Sequence, residues 1–315
     1  MSNLKAGIIG LGNIGSVLGI DNGLVLNHAS AYMRCDQTDL VCGYSPNKED
    51  RDRFKNFFGK TSYSSVEDLL KNNLDVISVA TPTNMHFSHV MQCLNSGVNT
   101  IFLEKPPTSN IDELVELISK AEEVDTRILV NYMRRYSNTY KRLKDFIDKK
   151  SFGDIRNIVA TYSNGLETNG SHMIDIVLYL IDDPRDYCVD YVNDNNLSNP
   201  SFIIKTEKCN NPIIFNGVDL EYHNLDVVIT FENARISVFH GGMSSLFELK
   251  KEHEYFPGYS RLDWSSDIQL PRIDIEDCFD KALIDLLVMK DTSPVSSLNT
   301  AFETQKILSD IRSYL

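Results

Sequence analysis

Three stretches of this 315-residue chain hold residues of the types that do chemistry. The first is Glu104-Lys105-Pro106-Pro107, directly after the apolar run Ile101-Phe102-Leu103. It sets a carboxylate and an amine at the carboxyl end of a strand, where open α/β sheets bind their ligands. Pro106 fixes the turn and allows a cis Lys105–Pro106 bond. The second is Gly10-Leu11-Gly12-Asn13-Ile14-Gly15, after the small strand Ala6–Ile9. In G-x-G-x-x-G the first glycine permits a tight turn, the second lets a pyrophosphate approach, and the third lets helix and strand pack closely. The helix N-terminus then faces the anion. The third is Gly170-Ser171-His172-Met173-Ile174-Asp175, with His172 in the first turn of a predicted helix. A histidine can take a hydroxyl proton near neutral pH, and a lysine can stabilise the alkoxide. His172 reads equally as a capping or core histidine, and Asp175 as its orienting partner or as an ordinary helix-face acid.

These groups need elements to position them. Strands are predicted at Ala6–Ile9, Leu40–Tyr44, Asp75–Ala80, Ile101–Leu103 and Ile128–Asn131, with helical segments between them. That alternation is the pattern of a doubly wound parallel sheet. Ser16–Asn27 reads as an interrupted helix or inserted loop. Asp75–Ala80 ends in Thr81-Pro82-Thr83-Asn84-Met85-His86, polar groups placed to meet a cofactor or to cap a helix over His86–Ser96. Ser109 is expected to cap a helix with Ile111, Leu114, Val115, Ile118 and Ala121 as its buried stripe. Ser45 occupies the strand-two terminus, where an NAD-binding fold often has an acid. Lys48 and Arg51 follow, either for a 2′-phosphate or as a solvated helix face. Beyond Ser137, predicted strands at Ile155–Ser163, Asp186–Val192, Phe202–Thr206, Leu225–Phe231, Arg235–Phe239 and Leu246–Lys250 suggest a mostly antiparallel sheet. Helices are expected over Tyr140–Lys149, from Gly170 through Ile181, and over Asp274–Met289 and Leu298–Leu315. The fold class is therefore α/β, with a doubly wound parallel sheet over 1–136 and a second α/β domain with a mostly antiparallel sheet over 137–315, whose C-terminal helix either stays there or packs back on the first domain.

A net charge of −13 argues against non-specific nucleic-acid binding and a basic membrane surface. No apolar run approaches the roughly 20 residues of a membrane helix. Met1–Lys5 runs straight into a strand and does not read as a signal peptide. The six cysteines form no Cys-x-x-Cys pair, which suggests thiols in a reducing cytoplasm and no metal site.

Taken together, the chain resembles the Gfo/Idh/MocA family of glucose–fructose oxidoreductase and inositol dehydrogenase. The resemblance rests on Gly10-x-Gly12-x-x-Gly15, Ala80-Thr81-Pro82-Thr83-Asn84-x-His86, Glu104-Lys105-Pro106, Arg134-Arg135-Tyr136 and Gly170-Ser171-His172-x-x-Asp175. It implies an N-terminal Rossmann domain, a C-terminal α/β domain with an open sheet, and NAD(P)-dependent oxidation or reduction of a sugar or sugar-like alcohol. Lys105 and His172 are the implied catalytic residues, with His172 as general base. Gly10, Gly12, Asn13, Ile14, Gly15, Ser45, Thr81, Pro82, Asn84, His86, Glu104 and Lys105 are expected to line the NAD or NADP site. Lys105, Arg135, Tyr162, Thr168, Asn169 and His172 are expected at the substrate. Family members carry Asp-x-x-x-His, whereas here Thr168 stands at the aspartate position and Glu167 beside it.

The expected assembly is a homodimer or homotetramer that covers one face of the second sheet. Arg134, Arg135, Lys141, Arg142 and Lys144 form a basic run suited to a diphosphate, or else Lys141, Arg142 and Lys144 are the solvated side of a helix and Arg135 a structural arginine. A nucleotide-linked sugar such as UDP-N-acetylglucosamine, oxidised at C3 for surface-polysaccharide or lipid A biosynthesis, is therefore the expected substrate. A free hexose or inositol-like polyol is the rival, and a cyclic imine or biliverdin-like substrate fits the same fold. A non-catalytic dinucleotide-binding regulator is the alternative of another class.

Overall fold

A computed structural model describes residues 3–182, 186–193, 196–207, 209–288 and 292–315. By its contacts the chain divides into two compact units, Met1–Tyr136 with Ile275–Phe302, and Ser137–Asp274 with Glu303–Leu315. The segment Ile275–Phe302, which the sequence reading assigned to the second domain, groups with the first unit.

In the first unit, β1 (Leu4–Ile9), α1 (His28–Arg34), β2 (Thr38–Tyr44), α2 (Lys48–Phe58), β3 (Thr61–Tyr63), α3 (Val66–Leu70), β4 (Val76–Val79), α4 (Thr83–Asn95), β5 (Thr100–Leu103), α5 (Ile111–Glu123) and β6 (Arg127–Val130) follow in order. The strands form one parallel sheet in the order β3-β2-β1-β4-β5-β6. Every residue of β4 is buried, as its unbroken apolar run requires of a central parallel strand. The order reverses between β1 and β4, so the carboxyl ends of Ile9 and Val79 mark the switch point where such sheets bind ligands. α5 buries Leu114, Leu117 and Ala121 with Ile111 and Ile118 half-buried, so the predicted stripe holds except at Val115, which is exposed. Its cap is Asn110, one residue after the expected Ser109, and it accepts from the Glu113 N–H at 2.9 Å. α4 begins at Thr83, three residues earlier than expected, with Pro82 at its N-cap and no side-chain cap.

In the second unit, α6 (Asn138–Asp148), β7 (Ile155–Tyr162), α7 (Ser171–Leu180), β8 (Tyr187–Asn193), β9 (Ser201–Thr206), β10 (Cys209–Gly217), β11 (Leu225–Phe231), β12 (Ala234–Phe239), β13 (Ser244–Glu252) and β14 (Ser260–Ser265) follow. The eight strands run β14-β13-β12-β11-β7-β10-β9-β8. Only the β10–β7 pair is parallel. Tyr140 and Leu143 of α6 and Ile174 and Val177 of α7 join Ile158, Ala160, Val227 and Ile229 in one core. On the other face Ile203, Ile214, Val159 and Val228 are half-buried and pair in register across β9, β10, β7 and β11. β10 and β14 were not anticipated. Pro212 and a register shift interrupt β10, and β14 is a largely exposed edge strand. The remaining helices are α8 (Ile275–Val288) and α9 (Leu298–Arg312), and the unit boundary falls within α9.

Candidate active site

The glycine turn is built by exclusion. Gly10 has φ +105°, and a Cβ there would lie 2.5 Å from the Ala80 carbonyl oxygen. A Cβ on Gly15 would lie 1.9 Å from the Gly10 carbonyl oxygen. Both positions therefore close the turn on its own backbone. Gly12 is different, because a Cβ there would meet nothing within 4 Å. The protein does not need that glycine for packing, and the bare backbone faces open space, as a cradle for a pyrophosphate must. Asn13 is exposed and Ile14 half-buried beside it. Asn13–Val17 winds as one π-helical turn that ends at extended Leu18, which matches the expected interruption after the glycines.

At the end of β2, Ser45 is 3% exposed. Its hydroxyl donates to Asp50 at 3.1 Å and accepts from the Asn47 N–H at 3.2 Å. Arg51 donates to the Ser45 and Pro46 carbonyls at 2.7 and 2.8 Å, and Lys48 pairs with Asp52 on the surface. Arg53, which the sequence reading passed over, pairs with Asp50 and reaches the Leu11 carbonyl of the glycine turn at 3.4 Å.

Beyond β4, Pro82 and Asn84 are exposed and Thr81 is half-buried. The Thr81 hydroxyl meets His89 Nδ1 at 3.1 Å. His86, expected at the cofactor, is instead 1% exposed and works as a strut. Its Nε2 lies 2.7 Å from the Thr81 carbonyl and its Nδ1 2.9 Å from the Pro106 carbonyl. Burial pulls its pKa below the ordinary value, so the neutral ring donates to one of these carbonyls at a time. The strut joins the loop after β4 to the turn after Lys105.

That turn has a cis Lys105–Pro106 bond, and Lys105 is half-buried. Glu104, also expected at the cofactor, spends its carboxylate inside the unit. Oε1 accepts from His28 Nε2 at 3.0 Å and from Asn131 at 2.6 Å, and Oε2 accepts from the Lys105 N–H at 3.2 Å. His28 is wholly buried, with its Nδ1 2.9 Å from Ser78 Oγ, which is 2.8 Å from the Tyr32 hydroxyl. Burial acts to raise the Glu104 pKa, but the bond and charge of His28, the Asn131 amide and Lys105 outweigh it and hold it below the ordinary value. No local motif announces His28, because its partner lies 76 positions away.

In the second unit β7 ends at Tyr162, and Asn164 and Gly165 take left-handed φ of +63° and +96°. Leu166–Gly170 then forms a π-helical turn into α7. His172 is half-buried in the first turn of α7, as expected. Tyr162, expected at the substrate, is fully buried and donates to the Pro200 carbonyl at 2.5 Å, so it braces the turn. The Thr168 hydroxyl donates back to the carbonyls of Asn164 and Gly165. Glu167 pairs with Arg312, which directs its carboxylate to α9. Asp175 is 1% exposed and accepts from Thr304 at 3.5 Å. The Asn169 amide lies 3.2 Å from Nδ1 of His223, a histidine absent from the sequence reading.

The expected basic run is not available as one patch. Arg135 is fully buried, with one nitrogen 3.4 Å from the Val295 carbonyl. Arg142 pairs with Asp145, and Lys144 with Asp148 and Asp182.

The parallel sheet, its switch point and the glycine turn define an α/β protein of the dinucleotide-binding class. Residues 4–132 match the model of the Gfo/Idh/MocA oxidoreductase family with an NAD-binding Rossmann fold. The chain is 26% identical over 200 residues to glucose-6-phosphate 3-dehydrogenase of Bacillus subtilis, covering 56% of this chain and 54% of that protein. It is 26% identical over 153 residues to myo-inositol 2-dehydrogenase of Thermotoga maritima, covering 48% and 42%. The chain thus matches about half the length of these curated relatives. The whole fold is similar to that of KijD10, a 3-ketoreductase from Actinomadura kijaniata solved with TDP-benzene and NADP, with a TM-score of 0.78 at 14% identity over 99% of this chain and 98% of that one. No helix among the described residues is long and apolar enough to cross a membrane.

Proposed function

We propose that this protein is an NAD(P)-dependent oxidoreductase that converts a secondary hydroxyl of a sugar or polyol ring to a ketone. The observation that carries the reading is the glycine turn, closed by backbone at Gly10 and Gly15 and open at Gly12. A nicotinamide dinucleotide bound there supplies the hydride acceptor. The chain's own part is to hold and deprotonate the alcohol. Lys105 hydrogen-bonds the hydroxyl oxygen and stabilises the developing alkoxide, and His172 takes the proton. Glu104 and His86 hold the Lys105–Pro106 turn from both sides, which lowers the freedom Lys105 must lose on binding.

For the substrate we infer a ring carrying several free hydroxyls, as in the substrates that name the B. subtilis and T. maritima relatives. Burial of Arg135 and the paired state of Arg142 and Lys144 remove the charge argument for a diphosphate. A nucleotide-linked sugar such as UDP-N-acetylglucosamine, oxidised at C3, stays as the second reading because the KijD10 structure holds TDP-benzene. Competition separates the two. UDP at millimolar levels leaves turnover of a free polyol or hexose phosphate unchanged if the first reading is right. Inhibition by UDP together with turnover of the UDP-sugar selects the second.

A further inference from the structure

We propose that His223 is a second substrate-contacting histidine in the second unit, and that Asn169 positions it. This rests on the reading of the protein as a sugar or polyol oxidoreductase. Its ring Nδ1 lies 3.0 Å from the Asn164 side-chain nitrogen and 3.2 Å from that of Asn169. Two amide donors aimed at one ring nitrogen make Nδ1 an acceptor, so the neutral ring carries its hydrogen on Nε2. Nε2 has no hydrogen-bond partner among the described residues, and the residue is exposed. A histidine held in this way presents one oriented N–H to whatever docks there.

The loop that carries it is unusually well tied for an exposed segment. The Val218 N–H donates to the Tyr162 carbonyl at 2.9 Å. The Asn224 N–H donates to Ser163 Oγ at 2.9 Å, and Ser163 Oγ in turn donates to the Tyr222 carbonyl at 2.8 Å. Asn199 bridges the two segments, accepting from the Gly165 N–H at 2.7 Å and donating to Asp219 at 2.7 Å. These bonds lace residues 218–224 to the turn between β7 and α7. A solvent-exposed loop has no need of that restraint for packing, whereas a binding group gains from it because less freedom is lost when the ligand arrives.

Its placement also fits. Asn169 is 8% exposed and lies in the π-helical turn that leads into α7, three residues before His172. The same asparagine that meets His223 is therefore close in sequence to the proposed base. Thr168 and Glu167 are turned to other partners, to the local carbonyls and to Arg312. His223 Nε2–H is left to recognise a hydroxyl oxygen of the ring, beside the one that reacts. The group recognised is a hydroxyl of a polyhydroxylated ring, since one imidazole N–H suits a hydroxyl oxygen.

The test uses the full chain with ¹⁵N-labelled histidine, with myo-inositol and glucose 6-phosphate as probes. We expect His223 to show the Nε2–H tautomer and to shift when a probe binds. With a turned-over substrate, His223→Ala raises KM by roughly 3- to 10-fold, the loss of one hydrogen bond, and changes kcat less. Because His223 is exposed, the variant keeps its fold, and its cofactor affinity stays that of the wild type. His223→Gln, which keeps an N–H, recovers part of the loss. An unchanged KM in His223→Ala overturns the proposal, as does a His223 signal that no probe moves. A shifted signal without turnover sustains the contact and refutes the catalytic reading instead.

Discussion

Replacing His28 by alanine tests whether the Lys105 turn rests on the buried His28–Glu104 contact. The substitution takes the imidazole from Glu104 Oε1, 3.0 Å away, and leaves a buried carboxylate short of a partner. Such a loss costs about 3–5 kcal/mol. Asn131 and the Lys105 N–H stay on the carboxylate, which sets the expectation at about 3 kcal/mol. The ring also stands edge-on to Phe102 and Phe279, with centroids 4.5 and 5.6 Å away, and losing those contacts adds about 1 kcal/mol. The apparent midpoint of the first unit then falls by roughly 8–16 °C. The only tryptophan, Trp264, lies in the second unit, so its fluorescence does not follow this loss. Far-ultraviolet circular dichroism and hydrogen exchange at the β4 and β5 amides do. Glu104 has a depressed pKa in the folded protein, so its stabilising share is present above the unfolded carboxylate pKa. That share is lost as pH falls through the folded value. The His28→Ala deficit is thus largest near neutral pH and shrinks in acid. A loss under about 1 kcal/mol at neutral pH, or one that grows in acid, refutes the reasoning.

The glycines separate folding from binding. Gly12→Val folds like the wild type and loses dinucleotide affinity, whereas Gly15→Ala loses about 1–3 kcal/mol from overpacking against the Gly10 carbonyl; unchanged cofactor affinity in folded Gly12→Val contradicts the assignment. Lys105→Ala and His172→Ala each lower kcat by roughly 100-fold or more, with little change in cofactor affinity for the histidine variant; full turnover by His172→Ala makes that residue structural. The half-buried row Ile203, Ile214, Val159 and Val228 leads us to expect a dimer or tetramer that covers this face. Light scattering that shows a monomer, or an oligomer indifferent to Val159→Lys, rules it out.

Wherever a local pattern carries its own physics, the sequence was enough. The glycine turn, the apolar β4 and the proline-fixed Lys105 turn all follow from neighbours within a few residues. Even the break after Gly15 was visible in its extra glycines. Side-chain destinations were less legible. Glu104 and His86 read as cofactor contacts because they end strands or open helices, yet their partners are His28 and the Pro106 carbonyl. Arg135 reads either as part of a phosphate clamp or as a structural arginine, and its burial in the fold favours the second. His223 had no motif at all, since its role depends on two asparagines 59 and 54 positions away. Contacts of that range are set by topology, which residue spacing alone does not encode.

The most direct test is hydride transfer itself. Purified protein is mixed with NAD⁺ or NADP⁺ and with myo-inositol, glucose 6-phosphate or UDP-N-acetylglucosamine, and the absorbance of reduced nicotinamide is followed. The account predicts reduced cofactor with at least one ring alcohol, and a rate at least about 100-fold lower in Lys105→Ala. A wild-type protein that binds neither dinucleotide, or a Lys105→Ala variant that turns over at the wild-type rate, would contradict it.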